Sequence, residues 1–333
     1  MRRLLILVLA LAALAIGVPL WMWRGPGPLP KATIVRIPEG ATIASAAKVL
    51  EDAHAIRSIT WFRGLAGKLG SRDPIRAGEF RIPAHASAAT ILDTLQHGRP
   101  ALKLVTIPEG TPSVIVQDKL MATTALAGPV PVPPEGTVLP DSYAYQPGES
   151  RLAVVQRMQK AMDKALADEW AARAPDLAVT TPGQALILAS IVEKETGVPS
   201  ERTMVAAVYS NRLRLGMPLQ ADPTVIYPVT KGRPLGRRIL ESELHAKNGY
   251  NTYAEVGLPK GPICNPGRAS IVAATNPAPR DRSIYFVADG TGGHVFSNNV
   301  YQHQRNVERW REIQRQRQEQ GQTGAPQPAP ARQ

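Results

Sequence analysis

Along the chain, apolar positions fall into three regimes, and each predicts a different kind of element. The first is an unbroken run, Leu4 to Trp23 (LLILVLALAALAIGVPLWMW), with no charged residue. About 20 apolar residues suffice to cross a bilayer as a helix. Arg2 and Arg3 precede the run, and Trp21 and Trp23 stand where interfacial aromatics belong. No small-x-small cleavage site follows it, so residues 1–24 read as a retained transmembrane anchor rather than a signal peptide. The GPGPLP stretch after it predicts a stiff linker, residues 25–31.

The second regime is short and alternating. Thr33 to Ile37 reads as a strand, Pro38-Glu39-Gly40 as a turn, and Thr42 as the N-cap of a helix burying Ile43, Ala46, Ala47 and Leu50. A further helix over Ile59 to Leu69 and a strand over Glu79 to Ile82 complete a strand-helix-helix-strand module, residues 32–100, with a LysM-like layout. The pattern IVRIPEGATI recurs loosely as LVTIPEGTPS at Leu104 to Ser113, so the second region starts on the same device. Ser87 to Gln96 predicts a helix between the two copies.

The third regime has helical period. Val154, Met158, Met162, Leu166 and Trp170 mark one face of an amphipathic helix, and Pro182 opens another. Ile284 to Ala288 predicts a strand closed by Asp289-Gly290. The fold class is therefore α+β: an anchor, the small module, and a mixed α/β domain over residues 101–312 with a groove. Residues 313–333 are polar and Pro-rich and read as a disordered tail.

Candidate chemistry concentrates between Ala189 and Tyr227. Ala185, Leu188, Val192 and Glu195 share one helix face, which puts a carboxylate in line with an apolar stripe. Glu193, two residues earlier, is turned about 160° away, so the two acids cannot serve one atom. A carboxyl against apolar walls has its charged form disfavoured and can donate a proton near neutrality. The competing reading is a solvated Glu193-Lys194-Glu195 surface. Gly197 reads as the helix stop and Ser200 as the next N-cap, followed by a helix burying Val205, Val208, Tyr209 and Leu213. Gln220 to Thr224 then reads as a polar turn started by Asp-Pro. Glu195, Asn211, Gln220, Asp222 and Thr224 can thereby converge on one groove.

The net charge of +12 suits an anionic membrane surface, a polyanionic wall or nucleic acid. The apolar start favours the first two, and the dispersed basic residues and sparse aromatics argue against nucleic acid. Cys264 is the only cysteine, which excludes an intramolecular disulfide. Neither it nor the scattered histidines has metal-ligand spacing, so no metal and no cofactor is expected.

Five ordered segments, ASIVEKET, SNRLRLGMPLQADPTVIY, YNTY, GLPKGPICNPG and YFVADGTGGHVFS, resemble the signature of the endolytic murein transglycosylase (MltG, YceG-like) family. The resemblance implies cleavage of the β-1,4 bond between N-acetylmuramic acid and N-acetylglucosamine within peptidoglycan strands, leaving 1,6-anhydro ends. Glu195 would be the catalytic acid and base, with Glu193 the alternative. Asn211, Gln220, Asp222, Thr224, Asn251 and Tyr253 would bind substrate. It also implies single-pass placement in the inner (plasma) membrane, N-terminus cytoplasmic and catalytic domain periplasmic. Glycan strands, and synthases or division machinery, would be its partners. A hydrolase with Asp222 as second carboxylate, and a non-catalytic wall-binding scaffold, are the rival readings.

Overall fold

A computed structural model describes residues 2–101 and 103–319. The chain divides into two compact units: residues 1–104 with 144–149, and residues 105–143 with 150–333. In the first, helix α1 (Arg2–Arg24) precedes strand β1 (Thr33–Ile37), helices α2 (Ile43–Asp52) and α3 (Ile59–Leu69), strand β2 (Gly78–Ile82) and helix α4 (Ala88–His97). The chain leaves this unit within β3 (Lys103–Thr106) and briefly returns in β4 (Ser142–Tyr145).

The strand-helix-helix-strand order is observed, with β1 and β2 antiparallel and Thr33 opposite Ile82. Alternation does the work that strand geometry predicts: Val35, Ile37, Phe80 and Ile82 point into the core, and Ile34, Arg36 and Arg81 point out. Thr42 caps α2, its side chain accepting from the Ser45 amide at 3.3 Å. Both Pro-Glu-Gly turns close the same way, with φ of +70° at Gly40 and +71° at Gly110, a conformation glycine adopts without steric cost.

Residues 25–31 are not a linker. Leu29 is buried in the same core as Trp23, Leu50 and Phe80. Gly27 donates its amide to the His85 carbonyl at 3.0 Å and Leu29 accepts from the His85 amide at 2.9 Å. A Cβ on Gly27 would collide with the Ala86 carbonyl, so the glycine permits close backbone packing, not slack. Composition suggested a spacer because Pro and Gly serve equally in tight packing. Trp23 likewise is no lipid-facing aromatic: it is buried, with its ring centroid 6.2 Å from that of Phe62.

The second unit holds α5 (Ser113–Ala122), α6 (Arg151–Ala171), α7 (Pro182–Glu195), α8 (Arg202–Arg214), α9 (Asp222–Thr230), α10 (Glu241–Leu244), α11 (Arg268–Thr275), the hairpin β5 (Tyr285–Ala288) and β6 (His294–Ser297), and α12 (Val300–Glu319). Its core is built on α7. Leu188, Ala189, Ile191 and Val192 pack with Val205 and Tyr209 of α8 and Ile271 and Ala274 of α11. Three expectations change here. Residues 199–201 form a 3-10 turn and α8 begins at Arg202, so Ser200 is not its cap. Asp222-Pro223 opens α9 rather than a turn, proline being well tolerated in a first helical turn. Helix α12 continues to Glu319, into the segment read as a tail; the rest of that segment lies outside the described residues.

Candidate active site

Helix α7 starts with Thr181, whose side chain accepts from the Gln184 amide, and ends on Glu195. Its last turn carries both acids, and their surroundings differ completely. Glu193 is almost fully buried yet fully engaged. Its Oε2 accepts the Gly267 amide at 2.9 Å, and its Oε1 lies 3.9 Å from the Arg202 guanidinium, which also meets Glu109 at 3.3 Å. The Glu-Lys-Glu run is therefore not a solvated surface, and Glu193 is a structural ion-pair residue.

Glu195 faces the opposite situation. Its Oε1 is sealed from solvent and has no hydrogen-bond partner among the described residues. Burial disfavours the ionised form and drives its pKa up to about 8. The nearby Asp222 carboxylate pushes the same way, while the Tyr209 hydroxyl and the Arg212 guanidinium, both on α8, partly offset the rise. The sequence pattern identified the face; the two α8 residues that temper the acid were read only as core and polar surface. Their signal was the i, i+3 spacing of Tyr209 and Arg212, which puts both on one side of α8.

Arg212 is buried and spends its donors on the residue before β5 and on the chain that leads into α9. Its Nε donates to the Ile284 carbonyl at 2.7 Å, and one terminal nitrogen donates to Pro218, Leu219 and the Gln220 side-chain oxygen at 3.2, 2.9 and 3.1 Å. Gln220 holds φ of +55°, unusual for a residue with a side chain, and its amide donates to the Thr252 carbonyl at 3.0 Å. That loop delivers Asp222, whose Oδ1 accepts from the Tyr253 hydroxyl at 2.5 Å. Burial raises the Asp222 pKa, and the Tyr253 bond opposes the rise.

The remaining predicted residues are committed to the protein itself. Asn211 donates to the Asp281 and Ser283 carbonyls, each at 3.0 Å. Asn251 is fully buried and donates to the carbonyls of Glu243, Leu244 and Ala246. Thr224 is buried against Thr252, oxygen to oxygen 2.8 Å, and donates to the Ala221 carbonyl. These three hold loops around the site. Glu195, Gln220, Asp222 and Tyr253 are its half-buried groups. Sequence reading missed Asn265 altogether. Its side chain accepts from the Val138 amide and donates to the Thr111 carbonyl, pinning the second Pro-Glu-Gly turn, while neighbouring Cys264 donates to Ser190 of α7. The arrangement supplies one buried proton donor near neutral pH, beside a second carboxyl held by a tyrosine.

Residues 35–309 match the model of the YceG-like family. A protein named endolytic murein transglycosylase from Streptococcus pneumoniae is 29% identical over 327 residues, 83% of this chain and 58% of the relative. One of the same name from Bacillus subtilis is 31% identical over 178 residues, 54% of this chain and 48% of the relative. The chain thus spans only about half the length of these relatives. The crystal structure of a yceG-like protein from Listeria monocytogenes is similar at 25% identity and a TM-score of 0.54, covering 83% of this chain and 98% of that one.

Proposed function

The chain belongs to the YceG-like family, and from that premise we propose that it is a lytic transglycosylase that cuts peptidoglycan strands internally. The observation that carries the reading is the carboxyl of Glu195, whose Oε1 is sealed from solvent without a partner among the described residues and whose pKa is raised to about 8. A neutral acid at that position protonates the glycosidic oxygen between N-acetylmuramic acid and N-acetylglucosamine as the bond breaks. The resulting carboxylate then takes the proton of the muramic 6-hydroxyl, whose oxygen closes on the anomeric carbon. The product is a 1,6-anhydro end, no water is consumed, and Glu195 returns to its starting state.

Ordinary glycosidases need a second carboxylate to activate water or attack the sugar. Here the nucleophile belongs to the substrate, so Asp222 has another task. With Tyr253 and Gln220 it hydrogen-bonds sugar hydroxyl and N-acetyl groups, and its charge keeps the Glu195 proton in place before reaction. Asn211, Thr224 and Asn251 support binding through the loops they hold. The first unit is read as a LysM-like module. Helix α1 is long and apolar enough to cross a membrane over Ile6–Arg24, which supports single-pass anchoring in the plasma membrane with the N-terminus cytoplasmic and the chain beyond α1 outside the cytoplasm. An internal cut made close to that membrane would terminate nascent strands, beside the synthases or division machinery that extend them.

Mass spectrometry of muropeptides tests the reaction. Purified enzyme on glycan strands yields 1,6-anhydro-muramyl ends, and Glu195→Gln yields none. The electrostatic coupling of Asp222 to Glu195 also suits a two-carboxylate hydrolase, and free reducing ends in place of anhydro ends would establish that reading instead.

A further inference from the structure

The end of α1 is docked, and the docked face carries groups suited to a phospholipid headgroup. The Trp21 ring is about half exposed, and the Arg57 guanidinium sits over it, 4.4 Å from the ring centroid. The same guanidinium donates to the Pro26 carbonyl at 3.0 Å, which fixes it against the end of the helix. Trp61, on the first turn of α3, lines the same shallow cleft with Met22, Pro26 and Arg57, and is 43% exposed. Trp23 and Phe62 beneath them belong to the core, so the face cannot drift away from the helix.

Length fixes the depth of this face. The apolar run Leu4–Trp23 has 20 residues, which at 1.5 Å per residue span about 30 Å. A bilayer's hydrocarbon layer is about 30 Å thick. No apolar length is left over, so once α1 is inserted the water boundary falls at Trp21 to Arg24. Arg57 and Trp61 then stand at headgroup depth, where tryptophan is favoured and a cation meets phosphate.

We propose that the α3 face of the first unit, formed by Arg57, Trp61 and Trp21, rests on the membrane surface and takes an anionic phospholipid headgroup, with Arg57 as the phosphate contact. The proposal depends on the membrane reading of α1. It adds that the first unit lies against the bilayer rather than hanging from a tether. Continuity with the span and charge complementarity select a lipid surface over a protein partner.

The test uses the full chain in nanodiscs of either phosphatidylglycerol/phosphatidylethanolamine or phosphatidylcholine, and reads tryptophan quenching. Wild type minus Trp61→Phe isolates the Trp61 signal, and wild type minus Trp21→Phe isolates Trp21. We expect lipids brominated near the headgroup to quench both, and acrylamide to reach Trp61 about threefold less in anionic nanodiscs than in detergent. Arg57→Gln, checked for an unchanged melting temperature, should restore most of that access in anionic nanodiscs and change little in phosphatidylcholine. If Trp21 is quenched by lipid while Trp61 stays as open to acrylamide as in detergent, the docked face is wrong and the anchor stands. If lipid quenches neither, the anchor reading fails as well. If Arg57→Gln leaves Trp61 protected in anionic nanodiscs, the headgroup contact is overturned.

Discussion

Glu193 and Glu195 are separated by one residue of the same helix, yet the protein treats them as opposites. Glu193 is surrounded by donors: the Gly267 amide and the Arg202 guanidinium. Glu195 is given burial, a carboxylate neighbour and an oxygen with no partner. A buried acid that accepts an amide and faces a guanidinium has its negative charge compensated. One whose burial outweighs the donors around it keeps its proton and destabilises the fold whenever it loses it. That difference is the basis of the proposal that the first serves structure and the second proton transfer.

The largest effect that would break this comparison is on turnover. Glu195→Gln keeps shape and removes the proton, so anhydro-muropeptide release should fall by about 10³–10⁴-fold or more, because one group acts as both acid and base. Circular dichroism should show an unchanged fold. Similar activity in the two proteins would end the assignment.

Stability provides the next effect, and its sign is opposite to that of an ordinary paired carboxylate. The folded state holds the Glu195 proton up to about pH 8, whereas the unfolded chain releases it near 4.5. Between those limits the unfolded state binds fewer protons, so stability falls as pH rises. Each unit of difference is worth about 1.4 kcal/mol, which makes the full loss about 5 kcal/mol, most of it between pH 5 and 8. Denaturant titrations should show this loss across pH 5 to 8 in wild type, and Glu195→Gln should be relieved of most of it.

Smaller effects sharpen the same contrast. Tyr253→Phe removes the donor to Asp222 and should raise the Asp222 pKa further. Loss of one such bond to a charged group is worth about 1.5–3 kcal/mol, so kcat/KM should drop about tenfold, with anhydro product still formed. Glu193→Gln should cost least in activity. Its amide oxygen can still accept the Gly267 amide, and Glu109 remains for Arg202. We expect turnover within about threefold of wild type and a melting temperature lowered by a few degrees, reflecting about 1 kcal/mol.

Much of this was legible in the sequence. Period decided the strands around Pro38-Glu39-Gly40, the capped helix at Thr42, and the face that carries Glu195. These are local signals, set by neighbours a few residues away. What stayed hidden depends on distant partners. Asn211 and Asn251 sit in motif-like segments, but a side-chain amide reads the same whether it meets a sugar or a carbonyl. In the fold Asn211 meets Asp281 and Ser283, some 70 residues on. Ser200 has the chemistry of a cap, but Glu201 is drawn aside to bond the His294 ring at 2.7 Å, and the helix starts later. The GPGPLP stretch has the composition of a spacer and the packing of a core segment, because Leu29 finds a pocket that composition does not encode.

The protonation of Glu195 itself is the most direct test. Protein labelled with ¹³C at glutamate side-chain carboxyls can be titrated by NMR, with the Glu195→Gln spectrum identifying the resonance. The account predicts that this one carboxyl remains protonated through neutrality and titrates at about pH 8. A Glu195 midpoint in the ordinary range near 4.5 would contradict it.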